Sequence, residues 1–90
     1  MINEENGFKI QSINGGFQAL KFFPNGYGVS IVRHQFSYGG NRGLFELAVL
    51  AGDSPDNFEL TYDTPITCDV IGNLSADEAL EIAEQVSQLS

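Results

Sequence analysis

Five short stretches rich in apolar residues lie along the first two thirds of the chain and predict strands, and the alternation of apolar and polar residues is clearest at 58–63. These stretches cover residues 8–13, 17–23, 27–34, 44–50 and 58–63. Turn signals at 14–16 (Asn-Gly-Gly) and 24–26 (Pro-Asn-Gly) favour tight hairpins, because Asn and Gly tolerate positive φ. The Gly-rich stretch 35–43 and the stretch 51–57 are expected to be loops. The pattern therefore predicts an antiparallel meander.

The end of the chain changes to a helical period. Ser75 and Glu78 form the spacing of a capping box, which predicts a helix that begins directly after Ser75. Its predicted apolar stripe is Ala76, Ala79, Leu80, Ile82, Ala83, Val86 and Leu89. Residues 64–74 are expected to be a connector that packs against the rest of the domain. The fold class that follows is α+β: an antiparallel sheet of four to five strands with one C-terminal helix on one face.

The predicted core combines the inward positions of two strands with the helix stripe. It consists of Phe45, Leu47, Val49, Phe58, Leu60, Tyr62, Ile82, Ala83 and Val86. Strand 44–50 is apolar on both faces, since Leu44, Ala48 and Leu50 alternate with the core positions. This pattern indicates either a central strand or a surface for self-association.

Length and composition limit the class of protein. Ninety residues predict a single domain spanning 1–90, and a hydrophobic content of 42% is enough for a core. Twelve Asp and Glu against four Lys and Arg give a net charge of −8, which argues against a binder of duplex nucleic acid. A single Cys suits a reducing compartment, and no apolar run has the length of a membrane helix. We expect a cytoplasmic protein without a membrane partner.

No catalytic or metal-binding pattern stands out in the sequence. Structural zinc needs four Cys or His ligands, and the chain offers Cys68 and His34. Asp53, Asp56 and Glu59 lack the central Gly of an EF-hand loop. A lone Cys and a lone His are not specific evidence for a nucleophile, and phosphate-loop and dinucleotide motifs are absent from the sequence. We therefore expect no enzyme activity, no metal and no cofactor.

One segment, residues 33–43, is chemically distinct from the acidic remainder. Two of the four cations and the single His lie in it, next to Gly residues whose N–H groups can turn toward an anion. The candidate anion-binding residues are Arg33, His34, Ser37, Tyr38, Gly39, Gly40 and Arg42. The alternative, which we favour from the sequence, is an ordinary hairpin loop whose Arg side chains pair with acids such as Glu46.

The acidic residues also have two interpretations. They keep a small protein soluble, or they form a face that docks on a basic surface of another protein, such as its nucleic-acid groove. The candidate partner-binding residues are Glu59, Asp63, Asp77, Glu78, Glu81 and Glu84. The acids are dispersed along the chain, and this favours solubility as the simpler explanation.

An ordered series of short motifs resembles a group of small acidic proteins encoded by tailed bacteriophages and prophages. The motifs are NGYGVSIVRH at 25–34, SYGG at 37–40, GLFELAVL at 43–50, YDTPIT at 62–67 and DVIGNL at 69–74. The resemblance covers roughly residues 25–89 and supplies no catalytic residue, since the group is largely uncharacterised. It implies an accessory protein made in the cytoplasm of an infected bacterium. The N-terminal segment 1–23 is an extension relative to the shorter members of the group.

The expected function follows from this resemblance together with the net negative charge. Small acidic phage proteins often inhibit host machinery, including restriction and CRISPR effectors, so we expect a viral anti-defence or anti-CRISPR-like inhibitor. It would bind a host or defence protein with a basic surface by protein–protein contact. The alternative is a binder of an anionic metabolite or nucleotide through the 33–43 loop, with homo-oligomers possible in either case.

Overall fold

The computed structural model describes residues 2–13, 15–34, 43–61 and 70–89 of the chain. A 3₁₀ turn at Glu4–Asn6 precedes the sheet. The strands are β1 (Lys9–Ile13), β2 (Gly16–Phe22), β3 (Tyr27–Arg33), β4 (Phe45–Ser54), β5 (Asn57–Leu60) and β6 (Ile71–Leu74), and the helix is α1 (Ala76–Ser87). The structure confirms the predicted α+β class, with an antiparallel sheet and one C-terminal helix packed against it.

The first five strands pair in chain order, each antiparallel to the next. Strand β3 pairs along one edge of β4, so β5 and β6 share the other edge of β4. Leu60 of β5 lies opposite Leu50, and Ile71 of β6 lies opposite Leu47. The two strands therefore pair with neighbouring positions along the same edge of β4.

The main core lies between α1 and one face of the sheet, which we call the helix face. Ala79, Ala83 and Val86 are the buried side chains of α1, and the helix packs on β3 and β4. The buried cluster consists of Phe8, Ala19, Val29, Ile31, Phe45, Leu47, Val49, Leu74, Ala79, Ala83 and Val86. Helix α1 begins where predicted, because the capping box of Ser75 and Glu78 forms as expected.

The predicted core is partly correct. Five of its members are buried: Phe45, Leu47, Val49, Ala83 and Val86. Ile82 packs against the cluster and is partly buried, and Tyr62 lies outside the described residues. Phe58 and Leu60 were wrongly placed in the core, since they are 39% and 48% exposed. Their register with Gly52 and Leu50 puts them on the sheet face opposite the helix, and among the described strands β5 pairs with β4 alone.

Two predicted loops contain strand structure. Strand β4 continues to Ser54 instead of ending at Leu50, with an irregularity in the pairing between Gly52 and Ser54. The connector predicted for 64–74 contains β6, whose four residues were too few to show an alternating pattern. The bounds of β1, β2, β3 and β5 otherwise agree with the prediction to within three residues.

Asn25 links the β2–β3 turn to the end of the helix. Its side-chain amide donates to the carbonyl oxygens of Val86 at 2.9 Å and of Leu89 at 3.0 Å. Its side-chain oxygen accepts from the backbone N–H of Tyr27 at 3.0 Å. The Val86 carbonyl oxygen also accepts from the backbone N–H of Leu89 at 3.2 Å, and Asn25 adds a cap from a distant part of the chain.

Truncation of the core strand tests the packing. Leu47→Ala should lower the free energy of unfolding by about 2–5 kcal/mol, because Leu47 is fully buried and the cavity left behind cannot refill. Urea denaturation of both variants provides the measurement. The matched control Leu60→Ala should cost at most about 1 kcal/mol, since half of this side chain already meets solvent. Equal losses would contradict the assignment of the two faces.

Replacement of Asn25 tests the helix cap. Asn25→Ala should cost about 1–3 kcal/mol, because it removes both donors and the acceptor. Asn25→Asp keeps the acceptor for Tyr27 but turns a carboxylate toward the two carbonyl oxygens at the negative end of the helix dipole. In thermal denaturation at pH 7 the Asp variant should be less stable than the Ala variant. An Asp variant that equals or exceeds the Ala variant would refute the cap.

Candidate functional site

Two aromatic rings meet on the sheet face opposite the helix, which we call the outer face. Phe22 lies on β2 and Phe58 on β5, three strand spacings apart, or about 14 Å. Their ring centroids are nevertheless only 5.7 Å apart. The two rings lean toward each other above the strands that separate them.

Two glycines on the outer face give these rings room. Gly28 is paired with Phe22, and a Cβ there would lie 2.6 Å from the Lys21 carbonyl oxygen and 2.7 Å from the Phe22 ring. Gly52 is paired with Phe58, and a Cβ there would overlap the Asn57 carbonyl oxygen and approach Phe58 to 2.6 Å. A side chain at either position would push the strands apart, so close approach explains both glycines.

The β4–β5 hairpin combines exposed apolar side chains with negative charge. Phe58 and Leu60 are the large hydrophobic residues that the described part of the chain exposes most. Asp53, Asp56 and Glu59 are exposed on the same hairpin. Residues 45–61 contain one further acid, Glu46, and neither Lys nor Arg. We name this set of five residues, Asp53, Asp56, Phe58, Glu59 and Leu60, the hairpin surface.

A row of polar side chains crosses the other half of the outer face. Gln11 on β1 donates to the side-chain oxygen of Gln18 at 2.6 Å, and Gln18 donates to the Ser30 hydroxyl at 2.9 Å. This hydrogen-bonded row runs from the β1 edge to β3. The outer face thus has a polar row near β1 and exposed apolar side chains near β5.

The acids of α1 form a second negative surface. Asp77, Glu78, Glu81 and Glu84 are all exposed, and helical spacing places them opposite the buried stripe of α1. Glu59, from the same predicted set, instead lies on the hairpin surface. Asp63, the remaining member, lies outside the described residues. The predicted acidic face therefore includes two separate elements.

One of these acids has a structural role. The backbone N–H of Ser75 donates to Glu78, and this bond, with the Ser75 hydroxyl, lowers the pKa of Glu78 below its ordinary value. Because the folded-state pKa is depressed, the contribution to stability is present above the ordinary pKa and is lost as the pH falls through the folded value. Glu78 therefore belongs to the helix cap as well as to the acidic surface.

Arg33 stands at the base of the candidate anion loop. Its guanidinium lies 5.5 Å from the ring centroid of Phe17 and 5.2 Å from that of Phe45, and these two rings contact edge to face at 5.8 Å. Within the described ranges it forms no ion pair with Glu46 or another carboxylate. His34 is half-buried beside it. The other loop candidates, Ser37, Tyr38, Gly39, Gly40 and Arg42, lie outside the described residues.

A small cavity opens between α1 and the start of the sheet. Its volume is about 250 Å³, and its lining residues are Asn6, Phe8, Lys21, Phe23, Leu80, Ala83 and Glu84. The Lys21 ammonium lies 5.3 Å from the Phe8 ring centroid and 5.8 Å from that of Phe23. Cation–π contacts hold Lys21 here, and the cavity is smaller than the roughly 300–1,000 Å³ of typical ligand sites.

The described residues lack two further kinds of functional feature. Within 2–13, 15–34, 43–61 and 70–89, no three or more His, Cys, Asp or Glu side chains are grouped as metal ligands. In the same ranges, no helix combines the length and apolar character needed to cross a membrane.

Comparisons with protein families, curated proteins and solved structures yielded no match to this chain. The resemblance to phage proteins therefore stays a prediction. The geometry leaves the hairpin surface as the strongest candidate site, because apolar exposure, an edge strand and one sign of charge coincide there.

Proposed function

We propose that the protein is a non-enzymatic binding module that docks on the basic surface of another protein through the hairpin surface. The observation that carries this proposal is the exposure of Phe58 and Leu60 among carboxylates on an edge strand. Protein interfaces typically combine an apolar centre with a polar rim, and exposed apolar patches mark such sites. In the phage setting that the sequence resembles, the partner is a host or defence protein that the module inhibits.

Charge supports a basic partner. The hairpin surface contributes Asp53, Asp56 and Glu59, and the exposed face of α1 contributes further carboxylates, in a chain with a net charge of −8. Complementary charge accelerates encounter and excludes partners of the same sign. The acids of α1 would act at longer range, while the hairpin surface makes the contact itself. Salt should weaken the complex, since the Debye length falls from about 10 Å at 0.1 M to about 3 Å at 1 M.

Affinity capture with matched variants tests the proposal. Tagged protein is incubated with bacterial lysate at low and high salt, beside Glu59→Lys and Leu60→Ser on the hairpin surface. Glu81→Lys makes the same charge change on α1 and is the control. We expect a partner that wild type and Glu81→Lys retain at low salt, and that each hairpin variant loses by about ten-fold or more.

Two results would count against this function. If no protein is enriched at either salt concentration, the proposal loses its basis. If Glu81→Lys abolishes capture while both hairpin variants retain it, the contact surface is the acidic face of α1 instead.

A second candidate function rests on Arg33. Two aromatic rings hold its guanidinium in place, and within the described ranges no carboxylate neutralises it, so its N–H groups are suited to an anionic ligand at the base of the 33–43 loop. Thermal-shift measurements against a panel of nucleotides test this alternative. Arg33→Gln should abolish any stabilisation, whereas Lys21→Gln, which removes a cation stacked on two other rings, should preserve it. A flat response of the wild type would exclude the alternative.

A further inference from the structure

The backbone N–H and C=O groups of β5 point alternately toward β4 and away from it. The N–H of Thr61 donates to the carbonyl oxygen of Val49 at 3.0 Å, which turns the backbone groups of Thr61 toward β4. In an antiparallel ladder these groups alternate from residue to residue, so Glu59 also faces β4 and Phe58 and Leu60 face away. Within the described ranges, no strand pairs with this outer edge of β5.

The outward backbone groups and the exposed side chains thus belong to the same two residues. Phe58 and Leu60 each direct one donor and one acceptor away from β4, along an edge that no described strand covers, and their side chains lie on the outer face. Glu59 lies between them with its side chain on the opposite face. A strand added here would place alternate side chains beside Phe58 and Leu60, and the intervening side chain beside Glu59.

We propose that β5 binds its partner by strand addition, and that the occupant is an extended segment in which apolar and basic residues alternate. The apolar residues would pack beside Phe58 and Leu60 on the outer face. The basic residue between them would face Glu59, with Asp53 and Asp56 of the hairpin adding negative charge nearby. This inference rests on the proposed function and specifies the form of its contact.

Charge argues against a second copy of the chain as the occupant. Each copy has a net charge of −8. In the antiparallel two-fold register that pairs Phe58 of one copy with Leu60 of the other, Glu59 faces Glu59 of the other copy. Like charges in directly opposite positions destabilise a strand pair, whereas Lys or Arg at that position is favourable.

The probe for this test is a seven-residue peptide of alternating valine and lysine with blocked ends, added to the purified full chain. Binding is followed by the NMR shifts of the backbone amides. The shifts should centre on Phe58 and Leu60, and the affinity should exceed that of an alternating valine–glutamate peptide by ten-fold or more. Higher salt should weaken the valine–lysine peptide. Glu59→Gln should lower its affinity several-fold, while Glu5→Gln, which removes an exposed charge from the 3₁₀ turn at Glu4–Asn6, should leave it unchanged.

Backbone methylation separates strand addition from side-chain docking. In the added strand the valine N–H groups face β5 and the lysine N–H groups face solvent. Methylation of the valine nitrogens should therefore reduce affinity by ten-fold or more, and methylation of the lysine nitrogens should not. Equal effects of the two methylations, or shifts centred away from β5, would overturn strand addition.

Strand addition and the proposed binding function can fail independently, and the experiments distinguish the two failures. If lysate capture depends on Leu60 but the two methylated peptides bind alike, the binding function stands and strand addition fails. If the peptide binds as expected but no lysate protein depends on the hairpin surface, the β5 edge can accept a strand and the proposed function fails. Sedimentation of the chain alone gives the last control: a dimer that Leu60→Ser abolishes would show that a second copy occupies the edge, and would overturn the proposal.

Discussion

Strand β4 makes backbone pairs along both of its edges and buries side chains on both of its faces. β3 lies along one edge, and β5 and β6 divide the other between them. Leu47 and Val49 pack under the helix, while Leu50 is fully buried on the outer face. Among the described strands, β4 has three neighbours and each of the others has one or two. The exposure of β5 follows from its position, since β4 covers one of its edges and no other described strand covers the second.

Elements determined by local sequence were predictable. Helix α1 begins at its capping box because Ser75 and Glu78 satisfy each other's backbone groups within one turn. The β2–β3 hairpin follows from its turn, where Gly26 adopts a positive φ of 87°. In both cases the deciding interactions join residues close together in the chain. The long-range bonds of Asn25 to the end of α1 left no comparable sign in the sequence.

Elements determined by long-range pairing were not predictable. The alternation of Phe58 and Leu60 was recognised correctly, but the face they occupy depends on a register opposite Gly52 and Leu50. An alternating pattern fixes which residues share a face without fixing which face is buried. Strand β6 is short and contains Asn73 at a positive φ of 58°, so propensity gave no indication of it.

The candidate site residues also divide into those that local periodicity predicts and those that long-range pairing determines. Periodicity was sufficient to place the acids of α1 on one exposed face. It did not reveal that Arg33 stacks on Phe17 and Phe45, because these rings come from two other strands. The hairpin surface was also missed, although the absence of Lys and Arg from residues 45–61 was visible in the sequence. The absence of Lys and Arg indicates a binding surface only once β5 is known to lie at an edge of the sheet.

An exposed edge strand with large apolar side chains is a hazard, because it offers a template for uncontrolled pairing. β5 limits this hazard by its length of four residues and by the charge of Glu59 at its centre. A net charge of −8 further opposes contact between copies. In the strand addition proposed above, these same features would discriminate between partners, since a strand that carries negative charge is repelled and one that carries positive charge between apolar residues is favoured. The charge that opposes pairing between copies would then also select the kind of partner that the edge accepts.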